Sequence, residues 1–167
     1  MPFGTLFSSL TALDQEIKRS AVDISKKLRQ VENCQEWSIE GMLDRKQAVD
    51  CLLAEGIQSG RFSLPEAVGR RHLQEQKLRR ELVLALDDWL DQCLAPVQHE
   101  LEGLSRDYRP RRLRDEIILH WAYLVTLDQV EAFTQTLNAL AHRYEPYGLQ
   151  FRMTGPWPPY TFCQISP

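Results

Sequence analysis

Residues 115–125 read Asp-Glu-Ile-Ile-Leu-His-Trp-Ala-Tyr-Leu-Val, and this stretch decides the fold. Ile117, Leu119, Trp121, Tyr123 and Val125 share one parity; Ile118, Ala122 and Leu124 share the other. A strand apolar on both faces is central and covered on both faces. Immediately after it, Thr126-Leu127-Asp128-Gln129 has the spacing of a capping box. Val130, Phe133, Leu137, Leu140 and Tyr144 then recur at helical spacing, until Pro146 and Gly148 end the pattern. Leu149, Phe151 and Met153 alternate with Gln150, Arg152 and Thr154, which predicts a further strand over 149–154.

The same reading extends toward the N-terminus. Residues 105–114 carry Arg106, Arg109, Arg111, Arg112 and Arg114 around Asp107, Tyr108 and Pro110, a basic hairpin or loop. A second strand is placed near residues 103–109. Leu78, Leu82, Leu86, Trp89, Cys93 and Val97 form one apolar stripe of a long helix, with Ser63-Leu64-Pro65-Glu66 as its capping box. Pro96 lies inside that stripe and is expected to kink or break the helix near 92–96, because it removes a donor and clashes with the preceding turn. Residues 46–54 suggest a short helical turn, and 55–60 a loop with two glycines. Residues 36–43 alternate, Trp37, Ile39 and Leu43 against Glu36, Ser38 and Glu40, as a half-buried strand does.

Residues 9–33 predict a helix capped by Ser8 or Ser9. Leu10, Ile17, Ile24 and Val31 fall seven apart, with Leu13, Ala21 and Leu28 beside them. The stripe suits a core-facing helix or a short coiled-coil strand, and the core-facing reading is preferred. The expected architecture is α+β. An N-terminal helical segment (1–34) precedes a modified ferredoxin-like β-α-β-β-α-β domain (35–167) with a Pro/Trp-rich tail.

Composition bounds the function. At 167 residues with 43% hydrophobic and 26% charged residues, the chain is a globular domain that needs no staples. A net charge of −3 disfavours a dedicated nucleic-acid binder. No apolar run reaches the length of a membrane span, and the N-terminus lacks the pattern of a signal peptide, so cytoplasm is the default compartment. Cys34, Cys51, Cys93 and Cys163 have no metal-ligand spacing and read as reduced, mostly buried thiols. Asp87-Asp88-Trp89-Leu90-Asp91 spells DDxxD, but without a second copy it reads as the solvated face of a helix. His72, His99, His120 and His142 show no ligand spacing, and no nucleophile or phosphate-loop motif occurs. The expectation is a non-enzyme with no catalytic residue, cofactor or metal.

The tail Gly155-Pro156-Trp157-Pro158-Pro159-Tyr160 contains three prolines. It is expected to be extended, stiff and close to polyproline geometry. It either docks across its own sheet or displays aromatics to a partner. In the docked case Trp157→Ala is expected to lower stability by roughly 3 kcal/mol or more, and in the displayed case to be near-neutral. Trp157 and Tyr160, with Arg109, Arg111 and Arg112 as an electrostatic rim, are the candidate partner contacts.

Residues 153–162, Met-Thr-Gly-Pro-Trp-Pro-Pro-Tyr-Thr-Phe, closely resemble the near-terminal LTGPWPPYSF signature of the gas vesicle protein F/L (GvpF/GvpL) family. Pro2-Phe3-Gly4-Thr5-Leu6-Phe7 resembles the family's FGT segment, without the usual two residues between Pro and Phe. Glu36-Trp37-Ser38-Ile39 resembles its EWGVKV strand, and Ala122-Tyr123-Leu124-Val125 followed by the Phe133 helix resembles AYLV…F. Family members usually carry a further α+β domain ahead of the FGT segment, so the chain resembles their C-terminal part. The resemblance implies an accessory, chaperone- or nucleator-like role in gas vesicle assembly. The partners it implies are the small hydrophobic shell protein GvpA and other accessory gas vesicle proteins, and the implied location is the cytoplasm or the gas vesicle itself. No nucleic-acid or membrane partner is expected. A small-molecule-binding regulatory module on the same fold is the alternative; it should show a preformed pocket with convergent polar groups.

Overall fold

The computed structural model describes residues 6–113 and 117–163. Most of the FGT segment, Arg114 and the first two residues of the 115–125 stretch lie outside the described residues.

Helix α1 runs Leu10–Val31, and the Ser9 side chain accepts the Ala12 N–H at 3.1 Å, as its capping role requires. Strand β1 (Cys34–Leu43) follows, then α2 (Arg45–Gln58), capped by Asp44. Helix α3 (Val68–Glu102) leads to strand β2 (Asp107–Pro110), and a hairpin returns as β3 (Ile117–Thr126). Helix α4 (Val130–Tyr144), a single 3-10 turn (Glu145–Tyr147) and β4 (Leu149–Trp157) complete the chain order.

The sheet order is β2-β3-β1-β4, with every neighbouring pair antiparallel. Each crossover therefore skips one strand, which is the split β-α-β arrangement expected of a ferredoxin-like domain. β3 is central, as its two-sided apolar pattern predicts. On one face Ile39, Leu119, Trp121, Tyr123 and Val125 pack under Val97 and Leu101 of α3 and Phe133, Leu137 and Leu140 of α4. A second cluster joins α2 to α3 through Ala48, Val49, Leu52 and Leu86. The opposite face of β3 is covered by the tail: Ala122 and Leu124 pack against Phe162, with Val31 and Cys34 beside them.

Several expectations are corrected. α1 is not core-facing: none of its residues is buried, and Leu10 (84%), Ile17 (45%) and Leu28 (61%) of its stripe stand exposed. At its last turn Val31 meets the sheet and Arg106 donates to the Gln30 and Glu32 carbonyls. Ser63–Glu66 caps nothing, since α3 starts at Val68 with no side-chain bond at its N-cap. Thr126–Gln129 forms a turn, and α4 likewise starts without a side-chain cap. α3 continues unbroken through Pro96. Leu90, Val97 and Leu101 are buried on both sides of the proline, and that packing offsets the missing bond. The second strand sits at 107–110 rather than 103–109.

The tail is not polyproline throughout. β4 extends through Gly155 and Pro156 to Trp157, and turns follow over 159–162. β4 is an edge strand, where a proline removes no bond to a further strand. Gly155 has φ +138°, and a Cβ there would lie 2.8 Å from the Trp37 ring and 3.0 Å from the Glu36 carbonyl. Only glycine fits this close approach.

Candidate partner-binding surface

The GPWPPYTF stretch is tied to the domain at one carboxylate. Glu36 is read from sequence as the solvent side of β1, yet it is 2% exposed. The Thr161 backbone N–H donates to Glu36 Oε2 at 2.9 Å, and the Thr161 hydroxyl donates to Oε1 at 2.6 Å. The Arg111 guanidinium reaches both Glu36 Oε1 and the Thr161 hydroxyl. A buried carboxylate needs such partners, because unpaired it would be strongly destabilising. Three segments far apart in sequence thus meet here: β1, the β2–β3 hairpin and the tail.

This junction sorts the candidate residues. Arg111 is engaged inside it. Arg109 is exposed, pairs with Asp107 at 3.0 Å and sits 6.0 Å from the centre of the buried Phe162 ring. Arg112 is exposed on the hairpin. Trp157 is half-exposed, its indole N–H 3.4 Å from the Thr154 hydroxyl, and Tyr160 stands 67% exposed at the turn. The tail therefore docks through Thr161 and Phe162 and displays Trp157 and Tyr160. Sequence reasoning missed Glu36, Thr161 and Phe162. The available signal was a carboxylate on one strand and an arginine-rich hairpin, with nothing to place them side by side.

Beyond the junction, the same sheet face carries a polar row. Ser38 Oγ lies 3.0 Å from His120 Nε2, and Glu40 pairs with Arg152. Glu40 Oε1 approaches the same His120 nitrogen at 3.9 Å. A hydrolytic triad places its acid on the other ring nitrogen, and its serine open to substrate; Ser38 is buried. The row therefore reads as cross-strand pairing.

Among the described residues, clefts open at two places. One, of about 400 Å³, lies between α3 and the β2–β3 hairpin, lined by Leu94, Gln98, Arg111, Leu113 and Trp121 among others. The other, of about 450 Å³, lies at the end of α2 beside Glu55, Arg61 and Trp89. Both open to solvent. Among the described residues no three His, Cys, Asp or Glu side chains gather to hold a metal ion. Asp87 of the DDxxD stretch pairs with Arg45 at 2.9 Å on an exposed surface. The four cysteines are free and half-buried, and burial pushes each thiol above its ordinary value. No helix among the described residues is long and apolar enough to cross a membrane.

Comparison with known proteins bears on this arrangement. Gas vesicle protein L1 of Halobacterium salinarum is 32% identical over 109 residues, covering 63% of this chain and 37% of that protein. Gas vesicle protein F1 of the same organism is 35% identical over 51 residues, covering 30% of this chain and 23% of that protein. The chain matches well under half the length of either. The crystal structure of GvpF from Anabaena sp. PCC7120 superposes with a TM-score of 0.67 at 17% identity, over 99% of this chain and 66% of that one. GvpF from Microcystis aeruginosa gives 0.65 at 18% identity, over 99% and 69%. These two likenesses show the fold. The family model described as gas vesicle synthesis protein GvpL/GvpF matches residues 1–164. With a match that runs from one end of the described domain to the other, the chain belongs to the GvpL/GvpF family.

Proposed function

We propose that this chain is an accessory factor of gas vesicle assembly that binds the small hydrophobic shell protein GvpA, and other gas vesicle proteins, in a chaperone- or nucleator-like role. Family membership across residues 1–164 carries the reading. The surface is compatible with it. A shell subunit exposes apolar area until it is assembled, and a binder that covers that area transiently keeps it from aggregating. Trp157 and Tyr160 offer exposed aromatics on a docked turn, and Arg109 and Arg112 supply a charged rim. Arg111 acts one step back, by holding the turn in place through Glu36 and Thr161. The role assigns the chain no catalytic step, and it places the chain in the cytoplasm, at the growing vesicle.

Co-expression with the shell protein, followed by pull-down, tests this. Soluble shell protein is expected to be captured, and to be lost when Trp157, Tyr160, Arg109 and Arg112 are changed together to Ala. A folded chain that captures no shell protein would overturn the reading.

A further inference from the structure

The cleft between α3 and the β2–β3 hairpin has an apolar floor, lined by Leu94, Leu119 and Trp121. At about 400 Å³ it has room for large apolar side chains. On its hairpin lip Leu113 is 53% exposed, and on its helix lip Ala95 is exposed. Ile118 lines the same opening as the extra residue of a bulge, since Gly41 pairs with Leu119 and Met42 with Ile117. We propose that this cleft takes an apolar side chain of the shell subunit, and that Arg111 couples its filling to the docking of the C-terminal turn. The proposal rests on the assembly reading above and deepens it.

The chemistry of the cleft and its neighbours select this guest. A charged group would leave water for an aliphatic and aromatic floor, which is costly. A free apolar solute would have nothing to hold it near the opening. One wall of the cleft, however, is the hairpin that carries Arg109 and Arg112, both exposed. A subunit lying on that rim already holds its apolar groups within reach, at a high effective concentration. The coupling follows from where Arg111 sits. Arg111 lines the cleft, and its backbone N–H donates to the His120 carbonyl at 2.7 Å. Among the described residues that is the last backbone bond joining the hairpin to β3. Its guanidinium reaches the other way, to Glu36 and the Thr161 hydroxyl. The bulge interrupts the β1–β3 ladder beside it, so few backbone bonds hold this corner of the sheet. A guest braces the hairpin from the cleft, and the junction braces the same residue from the tail. Each event therefore favours the other, and linkage makes the effect reciprocal.

The test is capture of co-expressed shell protein, read as shell protein recovered per chain. Ala95→Trp fills the cleft from an exposed helix position, and Leu113→Asp puts a charge on its lip. Either change alone should lower capture about three-fold, and the two together about ten-fold. The melting midpoint of both variants should hold, since neither side chain is buried. Thr161→Val removes one partner of the Arg111 guanidinium without touching the cleft. It should lower capture about five-fold in the native chain, and have little further effect once the cleft is filled and charged. A native chain that captures no shell protein overturns the assembly reading and this site with it. Undiminished capture by the Ala95→Trp, Leu113→Asp chain, beside a loss when Trp157, Tyr160, Arg109 and Arg112 are changed to Ala, overturns the cleft and leaves the assembly reading standing. A Thr161→Val loss as large in the filled chain as in the native one overturns the coupling.

Discussion

Glu36 illustrates how little a residue's type says about its place. An acid in an alternating strand reads as solvent-facing, and here it is the anchor of the C-terminal turn. The reason is tertiary: the covering residues come from position 111 and position 161, and local periodicity carries no information about either. The docked turn also separates neighbouring aromatics by role. Urea denaturation of three variants should resolve them. Glu36→Ala is expected to lose about 3 kcal/mol, because it strands the Arg111 guanidinium against the tail. Phe162→Ala should lose about 3 kcal/mol from the cluster with Ala122 and Leu124. Trp157→Ala, half in solvent, should lose about 1 kcal/mol or less. Equal losses from Trp157 and Phe162 would contradict this division of the tail.

At the scale of elements, legibility followed periodicity. β1, β3 and α4 stand within a few residues of their expected spans, because alternation and the 3.6-residue repeat survive folding unchanged. What failed was punctuation. Two capping-box spacings cap nothing, and a proline that should break α3 does not. In each case packing outweighed a local signal of smaller energy. Pro96 is exposed on a helix held from its other side by Leu90, Val97 and Leu101. Pro96→Ala restores the absent backbone donor and should raise stability by about 1–3 kcal/mol, read as a higher urea midpoint. α1 shows the opposite failure. Its stripe was legible, but a stripe does not state what covers it, and the preference for the domain's own core was wrong.

For the whole molecule, four phenols titrate late. Burial lifts Tyr108, Tyr123 and Tyr144, and the hydrogen bond to Glu55, then burial, pushes Tyr147 up to about 12. Tyr147 also packs on Trp89 at 5.3 Å, tying the 3-10 turn to α3. A phenol whose folded value exceeds its ordinary 10 contributes stability that is complete below pH 10 and fades as pH rises toward 12. Denaturation midpoints should therefore fall across that window, and Tyr147→Phe should flatten the fall. An unchanged slope in the variant would place the alkaline sensitivity elsewhere. The fold class itself was legible from the order of elements, and the family from the GPWPPY stretch. The junction that links them was not, because it exists only once the chain has closed on itself.

That closure has a consequence for synthesis. Glu36 is made before Arg111, and Thr161 50 residues after Arg111. A nascent chain emerging from the ribosome thus carries its central strand long before anything covers the Phe162 side of it. Until residues 161 and 162 emerge, Ala122 and Leu124 are bare and the carboxylate of Glu36 lacks two of its three donors. Completion of the domain is then a signal that translation has run past residue 162, and a product truncated just short of it is left as an open sheet, marked for degradation or aggregation.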